Sequence, residues 1–302
     1  MTHKDIKGEI EQLSNLKTMV QAYEEIAATY MRRIRNSVIL KREFLEGLSD
    51  IFKKVKESYK TEIQILMQRK KIKDTTKASL MHKNGKTVLV LISANTGLYG
   101  DIIKRTYRLF LQEAQKGNAD VALIGKLGHL LYNQEKDKLP ITYFEFPDNT
   151  INQDMLRDIV THLIQYERIV VFFGKFQSVV TQTPAASSIS GDEPAAVESD
   201  ATAVVSDAGK KQVPIHIQYL FEPSLEKILN FFETEVMTSI FEQTVHESQL
   251  AKFASRMTTL DKAGENISGT LKKTLFWEQR FKHHAMNKKQ LATLSSISLW
   301  RN

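Results

Sequence analysis

Gly97-Leu98-Tyr99-Gly100 follows an apolar run of strand length and precedes a helical pattern, the place where a phosphate finds free N–H groups at a helix start. The turn lacks the three-glycine dinucleotide spacing and the Gly-Lys-Ser/Thr of a P-loop, so nothing supplies the lysine or the magnesium-binding hydroxyl of nucleotide hydrolysis. A structural tight turn is the stronger reading. His283 and His284 are adjacent, so on a helix they point about 100° apart, and neither has a histidine or carboxylate four residues away. They read as solvated or partner-facing. Arg32, Arg33 and Arg35, and the run Arg69-Lys-Lys-Ile-Lys73, lack the interleaved aromatics of a nucleic-acid surface and read as solvated or acid-facing. Cysteine is absent, which excludes thiol nucleophiles, disulfides and Cys-ligated metals. No catalytic, cofactor-binding or metal-binding residue emerges, and the pattern is mechanical rather than enzymatic.

The elements around these residues are unusually long at both ends. From Ile6 through Ile10, Leu13, Leu16 or Val20, Tyr23, Ala27, Tyr30, Ile34, Val38, Leu45, Leu48, Phe52 and Val55, apolar residues recur in steps of three and four without a proline. That predicts a helix of about 55 residues, roughly 80 Å long. After Glu222-Pro223, with Ser224 as the expected N-cap, a second pattern runs through Leu225, Leu229, Phe232, Val236, Ile240, Leu250, Phe253, Met257, Leu260, Gly264, Ile267, Leu271 and Leu275. It predicts a helix of up to about 75 residues. Two such helices with narrow apolar seams are most economically paired as an antiparallel coiled coil. The longer C-terminal helix then overreaches, and Met286 to Leu299 projects as a single helix that needs an external sleeve.

Between the helices, Thr87–Ser93, Asp120–Gly125, Pro140–Phe146 and Arg168–Phe173 read as strands, with helices over Ile102–Ala114 and Asp154–Tyr166. Such alternation predicts a parallel sheet covered by helices. From Thr183 the composition turns to Ala, Ser, Thr and Val with acids at Asp192, Glu193, Glu198, Asp200 and Asp207, the pattern of a flexible surface excursion. The expected organisation is an N-terminal coiled-coil helix over 1–75, a central α/β domain over 76–222 with a flexible acidic insert at 183–212, and a C-terminal coiled-coil helix over 223–302.

The 302 residues, 42% hydrophobic and 25% charged, suffice for a real core. No run of about 18 apolar residues occurs, and Met1-Thr-His-Lys-Asp-Ile-Lys lacks a secretory h-region, so a soluble, cytosolic chain is expected. The net charge of +7 suits an acidic protein partner or a membrane surface as well as a nucleic acid.

Six motifs in order over most of the chain resemble the γ subunit of F-type (F1) rotary ATP synthases. Asp5-Ile6-Lys7, Ile10, Leu13, Asn15, Ala22, Ile26-Ala27-Ala28 and Arg32-Arg33 are similar to its first helix. Ser93-Ala-Asn-Thr-Gly-Leu-Tyr-Gly100 is similar to its S-D-R-G-L-C-G turn, and Ile124-Gly-Lys-Leu-Gly128 to its I-G-R-K-G. Phe176, Gln182 and Pro184 echo its F…Q-x-P strand, and Tyr219-Leu-Phe-Glu-Pro-Ser224 its Y-I-F-E-P-S. Ala254-Ser-Arg-Met257, Leu260, Ala263 and Asn266 resemble its second helix. Asn95 and Thr96 stand where the family has Asp and Arg, and Lys252 lies where it has Glu, which marks a divergent member.

The resemblance implies a Rossmann-like α/β domain beside the coiled coil, and a non-catalytic rotor shaft with no cofactor. Its implied partners are three α and three β subunits, an ε subunit and the membrane c-ring, with no nucleic acid and no nucleotide bound directly. It also implies that Met257, Leu260, Gln279, Lys282 and His283 face the α/β ring. The start of the chain shows no transit peptide, so the expected place is a peripheral complex on the cytoplasmic face of a bacterial plasma membrane. Two alternatives stand beside it: a γ-like subunit of a specialised F1-related ATPase, and a small-molecule α/β enzyme dimerised through its helices. The enzyme reading lacks a complete phosphate fingerprint.

Overall fold

A computed structural model describes residues 3–58, 84–117, 119–135, 139–189 and 225–299. The sequence-stretch ends at 75/76 and 222/223, the basic run at 69–73, the Tyr219–Ser224 motif with its expected N-cap, and insert residues 190–212 lie outside the described residues. Helix α1 spans His3–Ser58 and the last helix spans Leu225–Leu299, 56 and 75 residues, as the uninterrupted periodicity predicts. The chain divides into two compact units, one of Met1–Tyr30 with Arg256–Asn302 and the other of Met31–Ser255.

In the first unit, Ile6, Val20 and Ala27 are buried on α1, with Leu13 half-buried between them, a step of seven residues throughout. Ile10, Lys17 and Glu24 form a half-buried second row, so the seam alternates steps of four and three. The last helix answers with Leu260, Gly264, Ile267, Leu271, Thr274 and Glu278 at the same alternation. This seam repeats about every 3.5 residues, the period of a left-handed two-helix coiled coil. A Cβ on Gly264 would sit 3.8 Å from Val20 Cγ1, while in the second unit Lys41 Nζ meets Glu242 at 2.6 Å. Leu16, Tyr23 and Leu275, which the apolar spacing assigns to the seams, are exposed.

The second unit is built on strands β1 (Thr87–Ile92), β2 (Ala119–Ile124), β3 (Ile141–Phe144), β4 (Arg168–Phe176) and β5 (Gln182–Ile189), in the order β3-β2-β1-β4-β5. The first four are parallel, and β5 pairs antiparallel with β4. Residues 183–189, assigned by composition to the flexible insert, are therefore the sheet's edge strand: their small residues pair with β4 through backbone bonds that composition does not report. Between the strands lie α2 (Ile102–Ala114), α3 (Lys126–Asn133) and α4 (Gln153–Leu163); α5 denotes the helix Leu225–Leu299. Helix α3 has only eight residues, too few for its apolar spacing to register.

Both faces of β1 are covered, which is why its run is apolar without alternation. Val88, Val90 and Ile92 join Leu156, Ile159 and Val160 of α4 and Val236 to Val245 of α5 in one core, while Leu89 and Leu91 join Tyr107 and Phe110 of α2 and Tyr132 of α3 in the other. Phe110 packs edge-on to Phe172 of β4 with ring centroids 5.6 Å apart. Asn152 starts α4, its side chain accepting from the N–H groups of Asp154 and Met155. Among the described residues no helix is long and apolar enough to cross a membrane.

Candidate functional site

In a doubly wound sheet the ligand crevice lies at the carboxyl ends of the strands where the strand order reverses, here beside β1. The turn after β1 carries the glycine pair singled out above, and two backbone amides at its start are already used. Asp148, in the loop after β3, accepts from Asn95 N at 2.9 Å and Thr96 N at 3.0 Å through Oδ2, which also bonds Thr96 Oγ1 at 3.1 Å. Asn95 secures the turn further, donating to Phe146 O at 2.7 Å and accepting from Lys126 N at 3.0 Å. A carboxylate thus holds two amides at the start of the turn, next to the place where a phosphate would sit.

Helix α5 fills the rest. Lys252 Nζ donates to Ser93 O at 2.9 Å and to Asp148 Oδ1 at 3.2 Å, with side chains only 6% and 8% exposed. Ser255 Oγ donates to Tyr99 O at 2.8 Å, and the Tyr99 ring lies edge-on to Phe253. The close approach of the βα turns is enforced by glycine. Gly125 has φ +96°, and a Cβ there would stand 2.9 Å from Ala94 N; one on Gly128 would stand 2.8 Å from Ser93 Cβ. Leu98 holds a left-handed conformation at φ 67° and is exposed. The arrangement is a closed joint between sheet and helix, with charge where a nucleotide site has space.

A second joint gathers at Glu242 of α5. Its carboxylate accepts from Lys41 Nζ of α1 at 2.6 Å and Gln153 Nε2 of α4 at 2.9 Å. His246, one turn on, is buried, and burial holds its imidazole below its ordinary titration range, partly offset by Glu242.

The residues expected to face partners lie in the two-helix unit. Leu260 is 3% exposed within the seam and Met257 is half-buried. Gln279, Lys282 and His283 are exposed and share one side of α5, and Lys282 pairs with Glu278 at 2.9 Å. His284 is exposed too, and among the described residues no group of histidines and carboxylates could hold a metal. A second apolar line on α1, Leu16, Met19, Tyr23 and Ile26, is exposed, and the apolar spacing counts two of its members, Leu16 and Tyr23, with the seam. Its signal was present as a second three-four alternation displaced from the first. On α5, Phe276, Trp277, Phe281, Met286, Leu291 and Leu294 are likewise exposed, and no described residue from 279 to 296 is covered.

The sequence pattern of the family described as ATP synthase matches residues 2–279. The chain is 21% identical to the ATP synthase gamma chain of Polynucleobacter asymbioticus over 89% of each chain, and 22% identical to that of Cytophaga hutchinsonii over 99% of each. Its fold is similar to a chain of the Tetrahymena thermophila mitochondrial ATP synthase central stalk and c-ring structure, with TM-score 0.53 and 16% identity over 81% of this chain and 99% of that one. Long helices at both ends beside a parallel-dominated α/β sheet are the fold of that central-stalk chain. The chain belongs to the γ-subunit family of F-type ATP synthase, whose members are non-catalytic.

Proposed function

We propose that this chain is the rotating shaft of an F-type ATP synthase, joining three α and three β subunits to an ε subunit and a membrane c-ring. The observation that carries this reading is the family match over residues 2–279, which embraces both long helices and the sheet. Catalysis belongs to the β subunits, and the shaft acts as a cam. Each orientation presents different side chains to three otherwise equivalent sites, and the difference in contact free energy shifts their conformational equilibria. The exposed apolar line on α1 and the uncovered end of α5 supply such asymmetric surfaces.

Within this reading Met257, Gln279, Lys282 and His283 face the α/β ring, and the buried Leu260 holds the seam behind them. Gln279, Lys282 and His283 retain donors where the family places Asn, Arg and Gln, without the planar Arg fork. ATP synthase F1 is a peripheral membrane complex, and the place we assign this one is the cytoplasmic face of a bacterial plasma membrane.

The test is purification of the tagged chain from its native membranes in mild detergent, with the mass of the complex and its ATP hydrolysis measured together. One copy with three α and three β partners and ATPase activity is the expected result, and alanine at all five positions is expected to lower coupling. A monomer or homodimer without ATPase would return the chain to the enzyme reading.

A further inference from the structure

We infer that Lys252 is a positioning residue that locks α5 to the α/β sheet against rotation, and that its pair with Asp148 transmits torque between them. The inference rests on the shaft reading above and goes beyond it to a named pair. Helix α5 meets the sheet largely through apolar side chains, Val236, Met237, Ile240, Phe241 and Val245. Dispersion and burial are non-directional, so such a face resists separation better than it resists rolling or slipping by a turn. Lys252 differs in kind. Its ammonium is tied to a strand-end carbonyl and to a carboxylate that itself holds the turn's amides, and Ser255 adds a bond to Tyr99 O three residues along.

A helix roll of a fraction of a turn would pull the ammonium away from Asp148 and leave a buried charge without its partner. That penalty is specific to position, whereas the net contribution of a buried ion pair to stability is often small because desolvation opposes it. A pair of this kind therefore serves register more than stability.

The pair lies where the sequence departs from the family pattern. The family resemblance puts Arg on the turn and Glu on the helix; here the turn has Asn95 and Thr96, the helix has the cation, and Asp148 supplies the anion from the neighbouring loop.

The experiment uses intact complexes from native membranes carrying Lys252→Met, Asp148→Asn or Lys252→Arg, matched for subunit content. ATP hydrolysis and the ATP-driven membrane potential are read on the same vesicles. Lys252→Met and Asp148→Asn are expected to keep hydrolysis while the potential developed per ATP falls by about threefold or more, with Lys252→Arg close to the wild type. Asp148→Asn retains an acceptor for the turn, so it reports on charge where Lys252→Met also removes contacts. An unchanged ratio in both variants, or hydrolysis and potential falling in proportion, overturns the lock. A wild-type chain that recovers no ATPase complex at all overturns the shaft reading and the lock with it.

Discussion

Glu242 is where α1, α4 and α5 meet through side chains, and the histidine one turn away makes that joint sensitive to acid. His246 is buried, with Glu242 favouring its protonated form and Lys41 opposing it, Gln249 beside it, and the neutral Gln153 approaching from α4. Burial dominates, so the folded-state pKa lies below the ordinary 6.5. The unfolded chain then binds the proton more readily than the folded one, and the stability His246 contributes is present above pH 6.5 and is lost as pH falls below it toward the folded pKa. The thermal midpoint of the purified chain is expected to fall on acidification through this window, and His246→Gln to flatten that slope. An equal slope in the variant would remove His246 from the account. None of this was legible in the sequence. His246 sits on a helix read from its apolar positions alone, and its burial and the charge of Lys41 beside it depend on segments far from it in the chain.

At the scale of elements, the periodicity of α1 and α5 is the most readable feature, and the two helix lengths follow from it. Ala27 is fully covered on a row where larger residues stand one heptad away on either side, Val20 and Ile34. A carboxylate there has no partner and no water, so Ala27→Glu is expected to destabilise the helix pair by about 3 kcal/mol. Hydrogen exchange should show faster exchange of amides in 3–30, with Ala22→Glu, at an exposed position, as the unaffected control. The strands were legible for a different reason. Their runs are continuously apolar because both sheet faces are covered, and Thr87–Ile92 stands out for that alone. Strand β5 was not: Gln182–Ile189 is made of small and polar residues at an edge, and its place is set by backbone pairing with β4.

For the molecule as a whole, the division between what holds the fold and what is left for partners falls near Glu278, the last half-covered position of the seam. Deleting 279–302 removes no buried side chain among the described residues, so the remaining chain should keep its stability to within about 0.5 kcal/mol by denaturant unfolding. Coupling in the assembled complex should fall, because the exposed apolar side chains Phe281, Met286, Leu291 and Leu294 go with it. A large loss of stability would mean that this end of α5 is held by the chain itself. Helix lengths, strand cores and the absence of thiol chemistry were determined by the sequence alone, since periodicity and composition are local properties that any window of the chain displays. Which of two apolar lines on α1 becomes the seam was decided only by the tertiary structure. So was the meeting of Lys252 with Asp148, 104 residues apart, at the mouth of a crevice that glycines draw closed. The physical reason is common to both: burial and ion pairing belong to pairs of segments, and no single segment carries the address of its partner.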